Sequence, residues 1–212
     1  MSEYQTSNGR KKTRIQRENE DKILNSALEI FSTYGFRGST IDQIADLSGM
    51  SKPNLLYYFN SKETIIQVLI DRVLDKWLDP LKAINPQGDP LDELQKYIRR
   101  KIEMSRDFPR ESRLFANEIL QGAPRIQSEL KELKKLVGEK VKVIETWIKD
   151  GKLAACDPHH LLFSIWATTQ HYADFDVQVK AVLGSKKSGQ RRFDDAAEFL
   201  NQLYVEGLKV RE

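Results

Sequence analysis

The chain has 212 residues, of which 40% are hydrophobic and 31% charged, with a formal net charge of +3. That composition supplies enough apolar side chains for a core and excludes general disorder. Its longest apolar runs, as at Leu55 to Phe59, are too short to span a membrane. The sequence shows no apolar signal segment, and its single cysteine, Cys156, excludes an internal disulfide. We therefore expect a protein of the reducing cytoplasm.

The first 16 residues are polar and predict a flexible basic arm, in which Arg10, Lys11, Lys12 and Arg14 cluster among few apolar residues. Such a segment either adds electrostatic affinity for a polyanion or is a solvated tail without a function. The sequence alone leaves both interpretations open.

Three helices are predicted next. From about Arg17, apolar residues recur at steps of three and four, which predicts a helix with one buried face that ends at Gly35. Either Ser39 or Thr40 supplies the N-cap oxygen of a short second helix. Ser51 caps a third, because a serine or threonine oxygen satisfies free amides at a helix start.

The remaining residues also have helical periodicity. Ser61 opens a fourth helix that runs past Trp77, and the last helix covers 193–208. The segments between them are separated by turn-forming residues at 85–90, 108–109, 122–124, 151 and 186–190. Since we find no convincing strand and no internal repeat, the sequence predicts an all-α fold.

The second and third predicted helices have the spacing of a helix-turn-helix, in which the second helix lies in the DNA major groove. Ser51, Lys52 and Asn54 fall at the start of the third helix, whose positive end would face DNA. Asn54 suits a base edge, and Lys52 suits either a base or a phosphate. The same pattern also fits an ordinary antiparallel helix pair.

A longer signature decides between these interpretations. Its residues are Gly35-Phe36, Thr40, Ile44-Ala45, Gly49, Ser51, Leu55, Tyr58-Phe59 and Ser61-Lys62-Glu63. In order and spacing it resembles the DNA-binding signature of the TetR family of transcriptional regulators. The resemblance implies that Thr40, Tyr57, Tyr58 and Lys62 contact phosphates, while Ser51, Lys52 and Asn54 face the groove. Leu56 departs from the pattern, because many members carry a tyrosine there.

The family resemblance also implies a domain organisation. After the arm, residues 17–77 form a three-helix helix-turn-helix domain, and residues 78–212 form a larger helical domain for effector binding and dimerisation. A homodimer suits a pseudo-palindromic duplex operator, because two recognition helices must reach successive major grooves. The last two helices, around 161–182 and 193–208, are the candidates to pair across the two-fold axis.

In the second domain the most distinctive segment is Trp166 to Phe175. It resembles one subgroup of the family, and this resemblance implies a regulator of pyrimidine catabolism that responds to uracil or thymine. Trp166 and Gln170 lie four residues apart and so share a helix face. The Gln170 amide offers donors and an acceptor in one plane, which suits the edge of a pyrimidine. Trp77 and Trp166 would sandwich the ring, and Phe115 would close a wall.

The alternatives are a regulator of the same type with an apolar effector such as a drug or lipid, a nucleobase enzyme, and an architectural DNA protein. An isolated Trp-x-x-x-Gln is also compatible with core packing. The sequence shows no catalytic nucleophile or base. His159, His160 and His171 have no metal-site spacing to a cysteine or an acidic pair, so we expect no metal, no cofactor and no enzymatic activity.

Overall fold

The computed structural model describes residues 12–187 and 189–210, apart from the side chain of Lys186. In these residues the only regular secondary structure is α-helix, which confirms the predicted all-α class. The predicted basic arm up to Lys11 lies outside the described residues. The helices are α1 (Arg14–Tyr34), α2 (Ile41–Ser48), α3 (Lys52–Tyr58), α4 (Lys62–Lys82), α5 (Pro90–Asp107), α6 (Pro109–Leu120), α7 (Gln127–Lys149), α8 (Pro158–Asp174), α9 (Asp176–Lys187) and α10 (Arg191–Leu208).

The described residues form two compact units, which divide between Leu69 and Ile70. Helix α4 begins in the first unit and ends in the second, and it continues through Pro80. Helix α9 is interrupted at Gly184, whose φ of 69° lies in the left-handed region that a glycine adopts without a steric penalty. No helix in the described part of the chain is long and apolar enough to cross a membrane.

The first helix begins at Arg14, earlier than the predicted start at Arg17, because Thr13 and Gln16 form a capping box. The Thr13 hydroxyl accepts from the Gln16 amide at 3.2 Å, and the Gln16 side chain accepts from the Thr13 amide at 2.9 Å. The predicted apolar face of α1 is buried. Its residues in the core are Ile23, Leu24, Ala27, Leu28 and Phe31.

The second unit is built around α5, which packs against both α8 and α10. Helices α6 and α7 also pack against α8, so α8 has neighbours on several sides. Apolar side chains of α5, α7, α8 and α10 form one continuous core. Since α5 and α8 share this core, polar side chains on their facing surfaces are removed from water.

Candidate DNA interface and effector site

Two of the predicted DNA-contacting residues form the N-caps of α2 and α3. Thr40, rather than Ser39, caps α2, and its hydroxyl accepts from the Gln43 amide at 3.2 Å. The Ser51 hydroxyl accepts from the Asn54 amide at 3.4 Å. Gly49 separates the two helices in a left-handed conformation with φ of 68°, as the turn of a helix-turn-helix requires. The caps thus fix where both helices begin.

The start of α3 carries an ion pair that sequence reasoning missed. Nζ of Lys52 lies 3.0 Å from Oδ2 of Asp42, in the first turn of α2. Both side chains are more than half exposed. The side chain of Asn54 is exposed on the same helix as Lys52. The sequence does show an acidic residue in the first turn of α2. It does not show which basic side chain that residue pairs with, because the two are far apart in the chain.

The two tyrosines at the end of α3 differ in their surroundings. Tyr57 is 72% exposed, whereas the hydroxyl of half-buried Tyr58 accepts from Nδ2 of Asn19 on α1 at 2.9 Å. Their rings meet edge to face at 5.3 Å. The Asn19 contact holds Tyr58 in place, while Tyr57 stays available to a ligand.

Lys62 makes internal contacts. Its Nζ donates to the carbonyl oxygens of Phe36 at 2.8 Å and Ser39 at 2.7 Å, and it lies 4.2 Å from the centroid of the Phe36 ring. These contacts secure the segment that leads into Thr40 and α2. The phosphate contact that the family resemblance implies for Lys62 stays a prediction.

The candidate effector residues Trp77 and Trp166 both contact α5, at positions one helical turn apart. Nε1 of Trp166 donates to the hydroxyl of Tyr97 at 2.6 Å. Nζ of Lys101 lies over the Trp77 ring, 4.6 Å from its centroid. The sequence did not identify Tyr97 or Lys101. A signal was present, because both occupy core-facing positions of an apolar helix pattern.

Gln170 and Phe115 are half-buried, on α8 and α6 respectively. Among the described residues, the Gln170 amide has no side-chain hydrogen bond, and no ring contact joins Phe115 to either tryptophan. Other polar side chains tie α8 to its neighbours: Oγ of Ser105 donates to the Thr169 carbonyl at 2.9 Å, and Oγ of Ser112 donates to Oδ1 of Asp174 at 2.6 Å.

Burial changes the protonation of several groups in this region. It raises the pKa of Tyr97 above the ordinary value, so the phenol stays neutral. Burial also lowers the pKa of Lys101 to about 7, with the negative charge of Asp174 acting in the opposite direction. The pKa of Asp174 is itself raised by burial, against the hydrogen bond from Ser112. No cluster of possible metal ligands occurs in the part of the chain described.

Comparison with known families and proteins agrees with this arrangement. Residues 23–69 match the model described as bacterial regulatory proteins of the tetR family. Residues 70–211 match the C-terminal region of YcdC-like proteins. The chain is 46% identical over 202 residues to the HTH-type transcriptional regulator RutR of Escherichia coli K12, with 95% of each chain covered. It is 25% identical over 144 residues to the biofilm operon regulator IcaR of Staphylococcus epidermidis, covering 67% of this chain and 71% of IcaR.

Solved structures share the fold at lower identity. The ketosteroid regulator KstR2 of Mycobacterium tuberculosis superposes with a TM-score of 0.69 at 19% identity, covering 98% of this chain and all of that one. AibR, solved with isovaleryl coenzyme A and operator DNA, gives a TM-score of 0.67 at 17% identity, covering 88% of this chain and 98% of AibR. At these identities the likeness establishes the fold alone.

Proposed function

This chain belongs to the TetR family of bacterial transcriptional regulators, and on that premise we propose that it is a homodimeric repressor of pyrimidine-use genes that uracil or thymine releases from operator DNA. Family membership makes it a DNA-binding regulator and not an enzyme, as the sequence predicted. Since such a regulator acts where the DNA is, we also place it in the cytoplasm.

The DNA-binding part of the proposal rests on α3. Its start carries Lys52 and the exposed amide of Asn54, and Tyr57 is exposed near its end. Asn54 is the residue proposed to read a base, because a primary amide forms paired hydrogen bonds with adenine in the major groove. We also propose that Ser51 faces the major groove. The proposed contacts to DNA phosphates are made by Thr40, Tyr57, Tyr58 and Lys62.

The proposed dimer uses α8 and α10, because both expose large apolar side chains. Phe163 on α8 and Phe199 and Leu203 on α10 are each about half exposed or more. A shallow groove of about 480 Å³ lies along α10, and Phe199 and Leu203 contribute its apolar lining. Exposed apolar patches of this kind mark contact surfaces, and a two-fold pairing of these helices would bury them.

The observation that carries the pyrimidine assignment is the position of Gln170. Its half-buried amide lies one turn from Trp166 and has no side-chain hydrogen bond among the described residues. The amide of Gln170 is not among the fully buried atoms that lack a partner, so water can reach it and a ligand with matching groups can take the place of that water. A pyrimidine base supplies both a carbonyl acceptor and an N–H donor on one edge, which matches the amide. Trp77, Trp166 and Phe115 are the proposed apolar walls.

Release of DNA would follow from coupling through α4. Trp77 lies on this helix, whose first turns belong to the DNA-binding unit. A ligand that binds beside Trp77 favours one position of α4, and the operator favours another. Effector binding and operator binding would then each weaken the other, with a coupling free energy of about 1–3 kcal/mol, which is typical of allosteric proteins.

The test measures anisotropy of a duplex that the protein itself has selected from a random pool, with increasing uracil, thymine, cytosine or a fatty acid. We expect uracil or thymine to release the wild type. Gln170→Ala should need roughly tenfold to a hundredfold more ligand, because its amide no longer pairs with the base. Gln95→Ala, at a half-buried glutamine of α5, is the matched control and should behave as wild type.

Each outcome separates the hypotheses. If the fatty acid releases the DNA and the pyrimidines do not, the effector is apolar and the pyrimidine assignment is wrong. If uracil releases Gln170→Ala as readily as the wild type, Gln170 does not contact the base. A failure to select any duplex would contradict the DNA-binding assignment itself.

A further inference from the structure

The hydroxyl of Tyr58 is held by a side chain that lies outside the helix-turn-helix. Nδ2 of Asn19, in the second turn of α1, donates to this oxygen at 2.9 Å, although the two residues are 39 positions apart in the chain. The ring of Tyr57 meets the ring of Tyr58 edge to face, with an angle of 88° between their planes. Tyr58 is therefore fixed at its hydroxyl and at its ring.

The direction of this hydrogen bond determines what the Tyr58 hydroxyl can still do. A phenol has one proton to donate, and its oxygen also accepts. Because the Asn19 amide occupies the accepting side, the hydroxyl proton points away from that amide. Within the described residues this O–H has no acceptor. The proton therefore remains available to an acceptor from outside the chain.

A DNA phosphate is the kind of acceptor that suits this hydroxyl. Linked hydrogen bonds polarise one another, so an O–H whose oxygen already accepts one bond is a stronger donor in a second. Hydrogen bonds to an anionic oxygen are also stronger than those between neutral groups. The bond from Asn19 thus prepares Tyr58 for an anionic oxygen.

The charges beside Asn19 allow a phosphate to approach. Glu18 and Glu20 flank it in the sequence, and both are in ion pairs. Oε1 of Glu18 lies 3.6 Å from Nε of Arg14. Oε1 of Glu20 lies 2.7 Å from Nζ of Lys12. Asn19 itself adds a donor without a charge, whereas a carboxylate at this position would accept the phenolic proton and repel the phosphate.

We propose that Asn19 is a positioning residue for DNA binding, whose amide directs the hydroxyl proton of Tyr58 to a phosphate of the operator. This inference rests on the proposed phosphate contact of Tyr58 and adds to it a residue of α1. Because Leu56 has no hydroxyl, the phenolic donors at the end of α3 are Tyr57 and Tyr58. A donor that is already oriented loses less conformational entropy when the DNA binds.

The test is a double-mutant cycle on the full chain, measured as anisotropy of the duplex that the wild type selects from a random pool. We expect Asn19→Ala and Tyr58→Phe each to weaken binding by about fivefold to fiftyfold, because the proposed dimer loses a hydrogen bond at both half-sites. In the Tyr58→Phe background, Asn19→Ala should have no further effect, since the hydroxyl that it directs is absent.

Two further variants separate positioning from an effect on folding. Asn25→Ala makes the same substitution at an exposed position of α1 and should bind DNA as the wild type. Asn19→Leu has a similar size but no donor, so it should match Asn19→Ala in both backgrounds. It provides the test if Asn19→Ala does not fold, as judged by circular dichroism. A purely structural role would weaken binding by the same factor with or without the Tyr58 hydroxyl.

Three outcomes overturn the positioning role. If Asn19→Ala binds as the wild type while Tyr58→Phe is weakened, the phosphate contact stands but Asn19 does not direct it. If Asn19→Ala weakens binding equally in both backgrounds, Asn19 acts through the packing of α1. If Tyr58→Phe binds as the wild type, the phosphate contact fails and the positioning role fails with it. The DNA-binding assignment then still stands, because the wild type has selected a duplex.

Discussion

Nζ of Lys52, at the start of α3, lies 3.0 Å from Oδ2 of Asp42 in the first turn of α2. The pair places a negative charge beside a residue that we propose to contact DNA. Exposed ion pairs of this kind contribute only about 0–1 kcal/mol, because water screens both charges. A DNA phosphate or base can therefore take the place of Asp42. The Asp42 carboxylate therefore competes with DNA for Lys52.

Removal of that competitor should strengthen DNA binding. We expect Asp42→Asn to raise affinity for every duplex by roughly twofold to fivefold at low salt, because Lys52 is released and a repulsive charge is lost. The gain should shrink as salt screens the charges. Asp46→Asn changes the charge of α2 equally without touching Lys52, so it should produce a smaller gain in the same anisotropy titration. Equal gains would mean that the ion pair does not restrain Lys52.

Asn54 should control sequence preference. We expect Asn54→Ala to cost about 1–3 kcal/mol on the preferred duplex and to relax the preference at one position of each half-site. The helix start should survive, because the Ser51 hydroxyl accepts from the backbone amide of residue 54 and not from its side chain. Selection of duplexes from a random pool measures the effect, with Asn60→Ala as the control. An unchanged base preference would show that Asn54 does not read a base.

Lys62 should act both on the segment before α2 and on DNA. We expect Lys62→Ala to lower the free energy of unfolding by about 1–3 kcal/mol, because the carbonyls of Phe36 and Ser39 lose their donor. Affinity should also fall alike for all sequences, and the salt slope should fall by about one unit because the proposed phosphate contact is lost. An unchanged salt slope would mean that Lys62 acts only through the two carbonyls. Urea unfolding and salt-dependent anisotropy together distinguish these two roles.

The buried amine of Lys101 should make stability depend on pH. Burial lowers its pKa from 10.5 to about 7 in the folded chain. Between these values the unfolded chain binds the proton and the folded chain does not, so unfolding takes up a proton. The free energy of unfolding should therefore rise with pH in this window, by at most about 1.4 kcal/mol per pH unit. Below pH 7 both states are protonated and the contribution is constant.

Lys101→Met should lack this rise. Urea unfolding at pH 7, 8 and 9 should show the wild type gaining stability relative to Lys101→Met as the pH increases, while every other titrating group is shared. Lys142→Met makes the same substitution at an exposed position of α7 and should follow the wild type. Parallel curves for the wild type and Lys101→Met would show that the amine is not held in a low-dielectric environment.

Local sequence determined most of the secondary structure. The caps at Thr40 and Ser51 and the turn at Gly49 follow from the chemistry of residues close together in the chain. Apolar periodicity likewise predicted the buried face of α1. The predicted start at Arg17 was late because the capping box of Thr13 and Gln16 was not recognised. The ordered signature from Gly35 to Glu63 was also sufficient to identify the family.

Tertiary structure alone decided which polar atoms meet. Lys62 and Lys52 both occur in polar segments, yet one ammonium donates to internal carbonyls and the other pairs with an exposed carboxylate. Tyr97 and Trp166 are 69 residues apart and join only because α5 packs on α8. Periodicity specifies which face of a helix is buried, but not which side chain of another helix it meets. For that reason the sequence could offer Trp77 as a candidate, whereas its contact with Lys101 emerged only from the packed fold.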